Sequence, residues 1–263
     1  MKALRAYPTL LRVGFAGAVA YRAEMLIWML TMTMPLVSLA LWSAVARTAP
    51  VGRFGQREFA TYFLATVVVR QLTGSWVVWE LIQEIRTGTL ASRLLKPIHP
   101  LVAYSAENIA AIPLRALFAM PLAVIGLASG GAHLPHGLLS IGALLLSLVG
   151  AWLITFFVMA IIGMMSFYLE SSVSIFEVWL ACFMLLSGYL LPLELFPGWV
   201  KTLAYVLPFR YMLGFPVEIL IGAADPGELA RGLVVQWSYA LVCIAVGLAF
   251  WRVGVRRFGA FGG

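Results

Sequence analysis

Charge is scarce in this sequence: only 11% of its 263 residues are Asp, Glu, Lys or Arg, while 62% are hydrophobic. A soluble domain is about 25% charged and about 45–50% apolar. A chain this short of charge cannot cover a water-facing surface, which excludes soluble enzymes and secreted disulfide domains. The formal charge of +7 therefore does not point to nucleic acid. In an apolar chain, excess Lys and Arg records orientation and contact with anionic headgroups. The two cysteines, Cys182 and Cys243, lie inside apolar runs and read as small buried hydrophobes.

Chemical motifs are missing too. There is no G-x-x-x-x-G-K-[ST] and no Gly-Lys pair, so no phosphate-cradling loop is encoded. Leu186-Ser187-Gly188-Tyr189 sits in an apolar run, where it cannot serve as an ATPase signature. No H-E-x-x-H occurs, and Ser187 has no plausible His partner for nucleophilic chemistry. His133 and His136 flank a short turn without a third ligand, so no metal site is expected. Neither cofactor nor catalytic residue is expected in this chain.

Long apolar runs are present instead, and the mean hydropathy is +0.97. About 20 apolar residues cross a bilayer as a helix. Six stretches approach that length: Met25–Ala46, Phe59–Trp79, Ile109–Ala128, Leu138–Phe167, Ser174–Leu193 and Gly232–Trp251. The fold class is an all-α integral membrane protein, a single domain over 1–263. With the N-terminus inside, ten basic residues fall on the cytosolic side and six outside, so both termini are placed in the cytosol.

Ala18-Val19-Ala20 resembles a signal-peptidase site, but the apolar stretch before it is short and bounded by Arg12 and Arg22. Helical spacing over residues 1–24 puts Leu4, Tyr7, Leu11, Phe15 and Ala18 on one face, opposite Lys2, Arg5, Thr9 and Arg12. That pattern predicts a helix in the cytoplasmic headgroup plane.

Between the second and third stretches lies a cytosolic segment, residues 80–100. It begins as an extension of the second span carrying Glu80, Glu84 and Arg86. Gly88 breaks it, a short helical turn follows over Thr89–Lys96, and Pro97 and Pro100 stop that turn. Leu90, Leu94 and Leu95 on one side, with Arg93 and Lys96 exposed, suit docking into a groove. An ordinary positive-inside loop fits the composition as well.

Outside the membrane, Pro192, Pro197, Pro208 and Pro216 cut residues 194–228 into apolar pieces too short to span. Trp199 and Tyr205 suit the headgroup level, and Arg210 follows the third proline. The segment is either a packed outer-leaflet plug or an amphipathic loop lying on the membrane. Packing is favoured, because broken helices at membrane depth need protein or water to satisfy their backbones.

Arg70 is the sharpest single residue, twelfth in a 21-residue span. Arginine near the bilayer centre costs about 2.5–3.5 kcal/mol. Phe63, Thr66, Arg70, Thr73, Gly74 and Val77 share its face, a small and polar stripe that should turn toward the bundle or a partner. Arg70 either lines a pathway or acts as an ion pair or carbonyl clamp at a helix contact. Arg115 is expected to snorkel to the cytosolic headgroups or pair with Glu107, and Glu177 to play a similar structural part.

The runs Arg70-Gln71-Leu72-Thr73-Gly74-Ser75-Trp76-Val77-Val78-Trp79-Glu80-Leu81, Glu84-Ile85-Arg86-Thr87-Gly88 and Arg93-Leu94-Leu95-Lys96-Pro97-Ile98-His99-Pro100, with Tyr21-Arg22-Ala23-Glu24 before the first span, resemble the permease subunits of type-2 ATP-binding-cassette exporters. More narrowly, the chain is similar to a bacterial six-span lineage often described as efflux, sometimes viologen-type, permeases. The resemblance implies an interfacial N-terminal helix, a coupling helix between spans two and three, and re-entrant helices before span six. It also implies a separate ATPase subunit, two per complex, that binds ATP and Mg²⁺, and a second permease, identical or paralogous, in the bacterial inner membrane. Carried over, the coupling residues are Glu84, Arg86, Gly88, Arg93, Leu94, Leu95, Lys96 and Pro97, with the N-terminal helix and Tyr168–Val173 as secondary contacts. A secondary transporter or channel would show an internal repeat or a midplane acid, and an intramembrane enzyme paired His, Asp or Ser groups; the sequence has neither.

Overall fold

The computed structural model describes residues 2–23, 27, 34–128, 137–224 and 226–258. Among these the chain is all helix, with only an isolated bridge between Val51 and Phe54 outside that pattern. The helices are α1 Lys2–Ala20, α2 Met34–Val45, α3 Gln56–Thr73, α4 Val77–Thr87, α5 Leu90–Leu94, α6 Pro100–Ala110, α7 Ile112–Ala128, α8 Leu138–Met164, α9 Ser172–Leu186, α10 Gly198–Val206, α11 Phe209–Met212, α12 Gly214–Leu220 and α13 Pro226–Phe258. Three stretches are long and apolar enough to cross a membrane among the described residues: Pro100–Gly126, Leu138–Phe167 and Gly227–Phe258. Residues 25, 26 and 28–33 of the first predicted span, and both His133 and His136, lie outside the described residues.

α8 is the axis of the bundle. Of its most apolar window 56% is buried inside the chain, against 22% for α13, so α8 packs mainly against the rest of the chain while α13 turns most of its surface outward. α13, α4, α3, α11 and α12 all pack on α8. Gly163 makes the close approach of α4 possible: a Cβ there would meet Leu81 Cβ at 2.8 Å and the Val78 carbonyl oxygen at 3.1 Å.

Two predicted spans differ from simple rods. The second is broken at Gly74-Ser75-Trp76, so α4 is a separate helix rather than an extension of α3. The third starts earlier, at Pro100, and bends at Ala111, because Pro113 has no N–H for the helical ladder. The fifth is shorter than expected, as α9 ends at Leu186.

α1 lies along α6, where Tyr7 and Ser105 share a hydroxyl–hydroxyl hydrogen bond of 3.3 Å and Gly14 fits against Ala110. Tyr7, Leu10, Leu11, Gly14, Gly17 and Ala18 form its half-buried stripe. Phe15 is 44% exposed and stands off that stripe, contrary to the expected face.

At the opposite end, the loop before α3 is tied to the 3-10 turn Leu193–Leu195 by an Arg53–Glu194 ion pair. The proline-cut segment divides into two parts. α10 is peripheral, with Trp199 75% exposed. α11 and α12 are sunk into the core through Tyr211, Met212, Leu213, Phe215, Val217 and Ile219. Gln236 of α13 fastens them by donating from Nε2 to the Tyr211 carbonyl at 2.8 Å and the Ser147 carbonyl at 3.0 Å.

Candidate functional site

The break in the second span is a built joint. Asn108 Oδ1 accepts from Ser75 Oγ at 2.9 Å and from the Trp76 backbone N–H at 3.1 Å. These bonds satisfy groups freed where α4 begins, the positions a helix N-terminus always leaves open. Asn108 is itself oriented by donating to the Tyr104 carbonyl at 3.0 Å.

Arg115 closes the other side of the joint. Its Nη1 donates to the Gly74 carbonyl at 2.7 Å and its Nη2 to the Asn108 carbonyl at 2.7 Å. It is 2% exposed, so it neither snorkels nor pairs with Glu107. The carbonyl clamp considered for Arg70 thus belongs to Arg115, and the reason is local: the α6–α7 bend and the α3 terminus leave carbonyls facing each other around it.

Arg70 itself is 6% exposed and lies over the Phe183 ring, with its guanidinium carbon 5.0 Å from the centroid. Among the described residues no carboxylate or carbonyl accepts a hydrogen bond from its side chain. A Cβ on Gly74 would sit 3.4 Å from Arg70 Nη1 and 3.5 Å from Arg115 Nη1, so the two cations share the space glycine leaves. Their Nη1 atoms therefore lie within about 7 Å of each other, where two unit charges repel by at least about 2 kcal/mol at an effective dielectric of about 20. The neighbouring hydroxyls do not relieve this. Thr66 donates to the Tyr62 carbonyl at 2.8 Å and Thr73 to the Val69 carbonyl at 2.9 Å, both within α3.

Below the joint, α4 carries the predicted cytosolic segment. Gly88 ends it with φ of 74°, the left-handed conformation glycine adopts without strain, and α5 follows directly. Arg93 does not face outward as expected. Its Nε donates to both Glu84 oxygens at 2.8 and 2.9 Å, and its Nη1 and Nη2 donate to Glu107 at 2.7 and 3.1 Å. The guanidinium stacks 4.2 Å from the centre of the Tyr104 ring, whose hydroxyl donates to Glu84 at 2.6 Å. One fork thereby joins α4, α5 and α6, because a planar cation with five donors can satisfy two carboxylates at once.

The cluster is acidic on balance. Glu80 faces it from α4, and its Oε2 is buried without a hydrogen-bond partner. Burial, and then Glu107, push its carboxyl up to about 7; Arg93 opposes this and Glu84 adds to it. His99 caps α6 through Nδ1, which accepts from the Leu101 N–H at 3.3 Å. Burial and Arg252 lower its basicity.

What remains on the outside is a compact surface. Leu90 is fully buried and Leu94 half-buried, but Leu95 is 88% exposed, on the opposite side from the expected leucine face. Lys96, Pro97, Gly88 and Arg86 are exposed beside it. Arg86 also donates to the Glu170 carbonyl, in the turn before α9, which ties residues 168–173 to α4. Glu177 is exposed and makes no ion pair among the described residues.

In the outer segment, Arg210 is 6% exposed and neutralised: its Nη2 donates to Glu218 at 2.6 Å, and it stacks 3.8 Å from the Tyr205 ring centre. Pro192 precedes the 3-10 turn, Pro197 stands at the N-cap of α10 and Pro208 at that of α11. Among the described residues no three His, Cys, Asp or Glu side chains are grouped to hold a metal.

A body of apolar helices, three of them long enough to cross a bilayer among the described residues, defines an all-α membrane protein. The family model described as ABC-2 family transporter protein matches residues 26–262, and the chain belongs to that family. The family works in general with an ABC ATPase and a second permease. A search of the curated proteins gives no match.

Proposed function

We propose that this chain is the membrane permease of an ATP-driven exporter in the bacterial inner membrane, with both termini cytosolic. It pairs with a second permease to enclose the path and docks on a separate ATPase subunit that holds ATP and Mg²⁺. The observation that carries the reading is the elbow over residues 84–97: it is pinned inward by Arg93 yet presents Leu95, Lys96 and Pro97 to the outside. A segment that transmits force needs this combination of a rigid root and an adhesive tip.

Closure of the ATPases moves the elbow, α4 carries the motion to α8 through the Gly163 contact, and the joint at Gly74–Trp76 lets α4 swing without bending α3. Cargo entering from the cytosol or the inner leaflet passes between the permeases, and the 194–228 segment yields outward. Its α11–α12 half acts as a packed plug and α10 as the peripheral part.

The test is copurification with the ABC ATPase coexpressed beside it. Leu95→Asp with Lys96→Glu should reduce recovered ATPase at least about fivefold, the scale on which losing a buried apolar anchor and a steering charge acts. Both side chains are exposed, so the melting temperature should stay unchanged. Undiminished recovery would remove the docking role of the elbow.

A further inference from the structure

Three arginines are buried among the described residues: Arg70, Arg115 and Arg210. Each of the other two has its charge answered. Arg210 faces the Glu218 carboxylate, and Arg115 is held between two carbonyls. Arg70, equally buried, has the face of Phe183 and Tyr189 nearby, and among the described residues no carboxylate or carbonyl accepts a hydrogen bond from it. Its nearest charged neighbour is the like charge of Arg115 across Gly74. A guanidinium stays protonated in a protein, so it cannot escape the cost of burial by losing its proton.

We propose that Arg70, backed by Arg115, recognises an anion at the joint of the second span, and that the cargo of this exporter is an amphiphile with a carboxylate or phosphate head on an apolar body. This rests on the permease reading and names its substrate class. An anionic head supplies what the site lacks. Two oxygens fit the planar fork of Arg70, and the negative charge cancels the repulsion between the paired cations. Among the described residues Arg115 Nε is buried without a partner, a second unanswered donor beside the joint. The Phe183 ring against the guanidinium gives the site an apolar side for the body of the cargo. Cationic cargo is disfavoured by the same charges, which sets this chain apart from permeases that export viologen-type cations.

The test uses the purified chain in a non-ionic maltoside detergent, with laurate, dodecanol and dodecyltrimethylammonium as probes of equal chain length. Laurate should raise the melting temperature, dodecanol should raise it less, and the cation should not raise it. Arg70→Gln should weaken laurate binding at least about tenfold, the value of one charge-assisted hydrogen bond, while dodecanol is unaffected. Arg70→Lys, which keeps the charge and loses the fork, should fall between them and serves if the glutamine variant does not fold. Equal responses to laurate and dodecanol, or equal laurate binding by wild type and Arg70→Gln, overturn the proposal. So does stabilisation by inorganic phosphate equal to that by laurate, which marks an adventitious ion only. ATPase recovery in the copurification assay is read separately: laurate binding without ATPase association overturns the permease reading and leaves the anion site standing.

Discussion

Replacing Arg93 by alanine should loosen the root of the elbow and lower the stability of the chain. The arginine makes four charge-assisted hydrogen bonds, to Glu84 and Glu107, across three helices. Fully buried, such a hub would cost about 3–5 kcal/mol to break, since the orphaned carboxylates would face one another. Exposed pairs are worth about 0–1 kcal/mol. The side chains here are 19%, 19% and 37% exposed for Arg93, Glu84 and Glu107, so screening reduces the first figure without reaching the second. About 2–3 kcal/mol is the resulting loss. At about 2–4 °C per kcal/mol for a chain of this size, the melting temperature should fall roughly 5–10 °C. Scanning fluorimetry in detergent measures this directly. Arg93→Lys should recover only part of the loss, because an ammonium cannot fork to two carboxylates. Melting of Arg93→Ala within about 2 °C of wild type would show that the fork holds nothing together.

Other expectations come from the same end of the molecule and from the axis. Glu80 binds its proton more tightly folded than unfolded, so stability should decline as pH rises from the usual carboxyl value of 4.5 toward about 7, by roughly 3 kcal/mol in all. Glu84 on its own helix, Arg93 on α5, and Tyr104 and Glu107 on α6 set that environment, and melting curves of Glu80→Gln across pH 5–8 should be flatter than wild type. Gly163→Ala should destabilise by about 1–3 kcal/mol, because its methyl meets Leu81 at 2.8 Å; an unchanged melting temperature would show that α4 and α8 separate freely. Asn108→Ala should cost about 1–3 kcal/mol by stripping partners from Ser75 and Trp76. Hydrogen exchange should accelerate at residues 75–78 in that variant, and unaltered exchange would remove Asn108 from the joint.

The membrane class was legible because composition alone decides it, and Gly88 and Pro97 announced the elbow through backbone chemistry that acts locally. What the sequence concealed was long-range. Arg93 looked like a surface charge because Glu107 lies fourteen positions away, on a helix whose placement depends on a bend at Ala111. Arg115 looked free to snorkel for the same reason: its partners are carbonyls, which no residue pattern advertises. The break at Gly74-Ser75-Trp76 had a local signal, a glycine and a serine together, but the hydrophobic run continues through it and masks the discontinuity. Leu95 shows the opposite failure, since helical spacing cannot orient a helix of five residues.

The bond from Arg86 to the Glu170 carbonyl has a mechanical consequence. In the proposed mechanism Arg86 would ride on the moving arm, while Glu170 stands at the threshold of α9, the helix whose Phe183 covers Arg70. A stroke delivered at the tip of the elbow would then be shared at once between two routes, one up the arm and one into the wall opposite the paired cations. Both jaws around the charged centre would shift on the same beat, with no relay through the bundle between them.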